Sequence, residues 1–115
     1  MKKESIFMYD EMSDRLFISI KKESDKIYGS VRVLNLILDF TTDNRIVNIE
    51  LREASEYLES LGLNPNMLNN LTDAEIVVQE QNDGYLIYFI LKVGSHIERI
   101  PYNILTEKKI SATSV

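Results

Sequence analysis

Between Leu36 and Leu51 the chain alternates between apolar and polar residues. Leu36, Leu38 and Phe40 share one parity and Ile37, Asp39 and Thr41 the other. After Asp43-Asn44 the alternation resumes in Val47, Ile49 and Leu51. A period of two marks a half-buried strand, and Asp and Asn tolerate the positive φ of a tight hairpin turn. The pattern predicts a hairpin with a two-residue turn. Thr42 faces Arg45, Phe40 faces Val47, Leu38 faces Ile49 and Leu36 faces Leu51. A slip of one residue would turn every apolar side chain to the wrong face.

Two more turns follow the same logic. Asp83-Gly84 predicts a primed turn that sets Ile76 against Leu91, Val78 against Phe89 and Glu80 against Ile87. Gly94-Ser95 suits a type II′ turn with glycine first. It sets Leu91 against Glu98, Phe89 against Ile100 and Ile87 against Tyr102. The shared face is Ile76, Val78, Ile87, Phe89, Leu91, Val93, Ile100 and Tyr102. The middle strand is apolar on its other face too, through Leu86, Tyr88 and Ile90, so it must be covered twice. Val77 and Ile97 join that second face across the two turns. Pro101 suits an edge strand, where a missing N–H costs nothing.

Upstream, Ile6–Tyr9 and Leu16–Ile20 read as a hairpin that sets Phe7 against Ile18 and Tyr9 against Leu16. A strand starts near Tyr28, and its phase breaks between Val33 and Leu34, which predicts a bulge or bend at Leu34-Asn35. Residues 53–61 change period: Ala54, Tyr57, Leu58 and Leu61 fall at helical spacing, and Gly62 is a ready stop. Asn64-Pro65 then opens a short helix carrying Met67, Leu68 and Leu71. The hairpins around Asp43 and Asp83 look alike at an offset of 40 residues. Either a duplication or the common demands of two short hairpins would produce that likeness. The fold class is α+β: mainly antiparallel sheet, six or seven strands in hairpins and a meander, with one main and one short helix. Residues 1–106 are expected to form a single domain and 107–115 a frayed tail.

Composition narrows the chemistry. The 115 residues include no cysteine and one histidine, which excludes thiol nucleophiles, zinc–thiolate sites and a multi-histidine metal centre within one chain. The longest apolar run, Tyr85–Leu91, is seven residues, against about 20 for a spanning helix. The short apolar stretch Ile6–Tyr9 ends in an acid and is no signal peptide. A cytoplasmic protein without membrane contact is expected. The net charge is −5. Residues 53–91 hold seven acids and no base, a distribution that suits a basic protein partner and disfavours nucleic acid. The bland alternative is a solvated helix face with scattered loop acids.

Two segments carry a resemblance. One is the opening Tyr9-Asp10-Glu11-Met12-Ser13-Asp14-Arg15-Leu16-Phe17-Ile18. The other runs from Leu38-Asp39-Phe40 through Asp43-Asn44-Arg45-Ile46-Val47-Asn48-Ile49-Glu50 to Ala54-Ser55. Together they are similar to the domain-of-unknown-function family 2283, a family of small prokaryotic proteins. The resemblance covers about residues 5–61. The chain departs from it in Asn48, where the family favours glycine, in an insert at 23–30, and in its extra C-terminal half. The resemblance implies an antiparallel sheet with a trailing helix and no catalytic residues.

Two groups of candidate residues follow. Asp10, Asp14, Asp39 and Glu50 carry the resemblance and could converge as an oxygen site for a divalent cation; each also has a structural reading in a turn or on a polar sheet face. Val77, Leu86, Tyr88, Ile90 and Ile97 form a candidate interface. His96 lies near Ser95 and Glu98, yet sequence adjacency is no triad geometry, and a surface histidine in a turn accounts for it. The six tyrosines suit core and interface packing. No cofactor is implied. The leading reading is a non-enzymatic protein-interaction module that self-associates as a homodimer. The alternative is a small-molecule or cation binder, or an enzyme, with a carboxylate-lined cleft.

Overall fold

A computed structural model of the chain describes residues 5–105; the expected tail at 107–115 lies outside the described residues. Among the described residues eight antiparallel strands form two sheets. The larger sheet is built from β1 (Ile6–Asp10), β2 (Arg15–Ser19), β3 (Ile27–Val33), β4 (Leu36–Thr41) and β5 (Ile46–Arg52), in the order β1-β2-β5-β4-β3. Helix α1 (Ala54–Ser60) and a 3-10 helix (Pro65–Asn70) lead to a meander of β6 (Asp73–Gln81), β7 (Gly84–Val93) and β8 (His96–Leu105). The α+β class holds.

The inner faces of the two sheets share one core. Leu16, Ile18, Leu36, Leu38, Phe40, Ile49 and Leu51 from the larger sheet meet Ile76, Ile87, Phe89, Leu91, Ile100 and Ile104 from the smaller. The rings of Phe40 and Tyr85 meet edge to face, 6.4 Å apart. Ala54 and Leu58 of α1 are buried in the same core. Tyr57 lies 5.0 Å from the Tyr102 ring and donates its hydroxyl to the Pro101 carbonyl at 2.8 Å. Pro101 stands on β8, an edge strand as its chemistry demands.

Two expected registers hold throughout, and that of β4 with β5 holds from Leu36 to Asp39. Phe7 faces Ile18 and Tyr9 faces Leu16. Leu38 faces Ile49 and Leu36 faces Leu51. Leu91 faces Glu98, with Gly94 at φ 62 in the turn. The helix ends as its glycine predicts. Gly62, at φ 79, donates to the Glu59 carbonyl and Leu63 to the Leu58 carbonyl, the paired bonds of a Schellman stop. Asn64 accepts from the Asn66 N–H and caps the 3-10 helix ahead of Pro65.

Three expectations about the strands are corrected. Phe40 faces Ile46, not Val47. The loop is three residues long, 42–44: Thr41 N–H donates to the Arg45 carbonyl, and Asn44 sits at φ 69. A β-bulge then restores the predicted register at Asp39–Asn48. The wider loop is held by polar groups: the Thr41 hydroxyl donates to Asp43, and Arg45 reaches both Asp43 and Asp25.

The second hairpin turns at Asn82-Asp83, so Val78 faces Ile87 and Phe89 faces Ile76. Moving a turn by one residue moves the register by two. Every side chain keeps its face, so the alternation is blind to the difference. With that register, the two central hairpins no longer match at the 40-residue offset: Leu38 pairs with Ile49, but Val78 does not pair with Phe89. The pairing does not support duplication.

Finally, Leu34-Asn35 is a complete two-residue turn, with Leu34 at φ 56, and it divides one expected strand into β3 and β4. That turn accounts for the eighth strand.

Two outcomes test this packing by urea denaturation. Ile49→Ala or Phe89→Ala, both fully buried, should cost about 2–5 kcal/mol. Leu34 is 67% exposed and left-handed, so Leu34→Gly should stabilise by roughly 0.5–1 kcal/mol. A lower urea midpoint for Leu34→Gly would refute strain at that turn.

Candidate functional site

Asp14 sits at φ 57 at the end of the β1–β2 turn, and Glu53 sits at φ 56 just before α1. These two left-handed residues bring the turn and the helix start together. The Asp14 carbonyl accepts the Ala54 N–H at 3.1 Å. Its carboxylate accepts the Ser55 N–H at 2.9 Å, the Ser55 hydroxyl at 2.7 Å and the Tyr9 hydroxyl at 2.6 Å. The Glu53 side chain makes no cap bond. The first free donors of α1 are therefore satisfied by a residue about 40 positions upstream, in the manner of an N-cap.

Burial opposes the Asp14 charge but is outweighed by hydrogen bonds from Tyr9 and Ser55, which hold the carboxyl below its ordinary range. Burial, then the hydrogen bond and charge of Asp14, push the Tyr9 hydroxyl up to about 12.

The four candidate acids do not converge. Asp10 accepts from the Met12 N–H and the Ser13 hydroxyl within its own turn, and those bonds lower its pKa. Asp14 points to α1. Asp39 and Glu50 lie on the outer face of the larger sheet. Asp39 accepts from Ser30 at 2.5 Å and Asn48 at 2.9 Å, and Glu50 pairs with Arg15 at 3.4 Å. Asn48 is thus bonded to its cross-strand neighbour. No group of three or more acids and histidines among the described residues is placed to hold a metal.

The stretch 53–91 also finds a base just past its end. Lys92 lies 3.8 Å from Asp73 and 3.9 Å from Glu75, so a base from outside the stretch stands beside two of its acids.

The five candidate interface residues share one surface. Tyr88 faces Val77 on β6, and Ile90, Leu86 and Ile97 lie on the same side of the meander. Val77, Leu86, Tyr88 and Ile90 are half-buried, and Ile97 is 56% exposed. None belongs to the core cluster or to the side chains packed against it. The larger sheet covers the opposite face of the meander.

One arrangement went unread in the sequence. The turn between β7 and β8 and the 3-10 helix enclose a cleft of about 420 Å³. Leu63, Met67 and Val93 supply its apolar wall, and Asn64, Asn66 and Asn70 its amides. His96 Nε2 lies 2.8 Å from the Glu98 carboxylate on one side. The signal was a His and a Glu two apart on one strand, hence on one face, and it needed the position of the 3-10 helix to become a cleft.

Comparison with known families places the resemblance. Residues 7–55 match the family described as "Protein of unknown function (DUF2283)". No curated protein and no solved structure matches the chain. The matched segment runs from β1 to the first turn of α1, so it holds the larger sheet and the Tyr9–Asp14–Ser55 contact. The β6–β8 meander lies outside it.

Asp14→Ala should cost about 1–3 kcal/mol, and a double-mutant cycle with Ser55→Ala should show coupling above about 0.5 kcal/mol. Additive losses would refute the shared cap. Because the folded carboxyl lies below its unfolded value of about 3.9, its contribution is full above that pH and is lost as pH falls from there through the lower folded value. For Tyr9 the sign is opposite: its contribution is full below about pH 10 and is lost as pH rises toward 12. An ultraviolet absorbance titration should show a late-ionising tyrosine that Tyr9→Phe removes.

Proposed function

We propose that this chain is a non-enzymatic interaction module that self-associates through the outer face of the β6–β8 meander. The observation that carries the reading is the patch of Val77, Leu86, Tyr88, Ile90 and Ile97. These side chains lie together on one surface and outside the core. Contiguous apolar surface of this kind marks interaction sites, and a closed two-fold dimer is the commonest way to bury it.

A second reading rests on the cleft beside the 3-10 helix. Its apolar wall, three amides and the His96–Glu98 pair are the composition of a small polar ligand's site. It retains the ligand-binding alternative, with Glu98 in place of the four acids expected from the sequence.

Sedimentation velocity tests the first reading. The wild-type chain should run at about twice its 13.3 kDa mass, and Tyr88→Glu should run as a folded monomer. A 13.3 kDa wild-type species at every concentration would remove the reading.

A further inference from the structure

The outer face of the meander carries its charges asymmetrically. Asp73 and Glu75 stand on β6, at one margin. Lys92 lies on the middle strand opposite Asp73, and Arg99 lies on β8, the other margin, opposite Ile90. The Arg99 guanidinium rests over the Tyr88 ring, 4.2 Å from its centroid, a cation–π contact at the centre of the apolar patch. These four are the charged residues of this face among the described residues, two acids and two bases. The face is therefore neutral in a chain of net charge −5, and two copies can approach there without the repulsion that the rest of the surface would impose.

Resting on the self-association proposed above, we infer that the occupant of this face is a second copy of the chain, related by a two-fold axis that runs along β7. Such an axis, lying in the plane between two facing sheets, carries the partner's β6 over this chain's β8. Each cross-strand row stays level with itself. Glu75 of one copy then stands over Arg99 of the other, twice by symmetry, while both Tyr88 rings and both Ile90 side chains meet at the middle and the two Lys92 face each other, each beside Asp73 and Glu75 of its own chain. Strands of the two sheets stay nearly aligned, the ordinary geometry of packed sheets. The other in-plane axis, across the strands, sets β6 over β6. It brings Glu75 against Gln79 and Asp73 against Gln81, so no opposite charges meet. Only the axis along β7 makes the acidic and basic margins complementary.

The face is only three strands wide, narrower than a typical interface of about 800 Å² per partner. The measurement is therefore sedimentation velocity on the full chain from about 1 to about 500 µM. Arg99→Glu sets acid over acid at both contacts, and Glu75→Arg sets base over base. Each alone should weaken the dimer about tenfold or more. Mixing the two variant chains should restore it to within about threefold of wild type, because the mixed dimer has an opposite pair at each contact. That rescue cannot arise from a folding defect, nor from loss of the Glu75–Lys92 pair within one chain. A wild-type dimer that Tyr88→Glu abolishes, but that tolerates both charge reversals or is not rescued by mixing, overturns the axis and leaves the interface standing. A wild-type chain that is monomeric throughout overturns both.

Discussion

A helix of seven residues does not hold its shape in water, where even good helix formers need about 12–15 residues. Helix α1 is that short, so its position depends on what grips its ends. At the start, the grip is Asp14. One residue at the end of the first hairpin supplies a carbonyl and a carboxylate to the first N–H groups of the helix, and Tyr9 braces the carboxylate from β1. At the far end Gly62 and Leu63 close the last turn. Between them Ala54 and Leu58 enter the core, and Tyr57 reaches the edge of the other sheet. The helix thus directs the chain from the end of β5 toward the meander, and the facing of the two sheets depends on that path. The family-matched segment ends at Ser55, the last partner in this contact. The motif residues Tyr9, Asp14 and Ser55 are explained by hydrogen bonding alone.

Alternation along the chain made most of the fold legible, because a residue's parity decides its face. It revealed the inner faces of both sheets, the helix stripe and the apolar outer face of the meander. It failed wherever a turn kept parity or broke a local rule. The Asn82-Asp83 turn moved the register by two and left no trace in the pattern. Gly84, the residue that suggested the turn, instead became a buried strand residue facing Leu105. Leu34 adopted a backbone conformation that leucine rarely adopts, because the cross-strand pairs Val33–Leu36 and Val31–Leu38 fix the turn from both sides. The bulge beside Phe40 depends on contacts between Asp43, Arg45 and Asp25, and Asp25 comes from a loop 20 residues away in sequence.

The candidate residues divided in the same way. The apolar outer face of the meander was readable because Leu86, Tyr88 and Ile90 share a parity opposite to that of Ile87, Phe89 and Leu91. The acids were not readable as a site: Asp10 is held within its own turn and Asp39 faces Asn48 as the hairpin pattern implied, while Ser55 for Asp14, Ser30 for Asp39 and Arg15 for Glu50 were neighbours only the fold could supply. The His96–Glu98 pair was visible, but its cleft was not, because the opposite wall comes from the 3-10 helix some 30 residues earlier.

The strand order of the larger sheet sets the sequence in which it can assemble. β3, β4 and β5 form a local meander, as do β6, β7 and β8, and β1–β2 is a hairpin closed by four turn residues. Among the described strands only the pairing of β2 with β5 joins segments distant in the chain, Arg15–Ser19 with residues 48–52. Closing that loop has an entropic cost before any contact offsets it, and distant pairing is what slows the folding of β proteins. The Asp14–Ser55 contact spans nearly the same loop as Arg15–Arg52. It therefore adds a second tie across that loop, and links the docking of the first hairpin to the start of the helix.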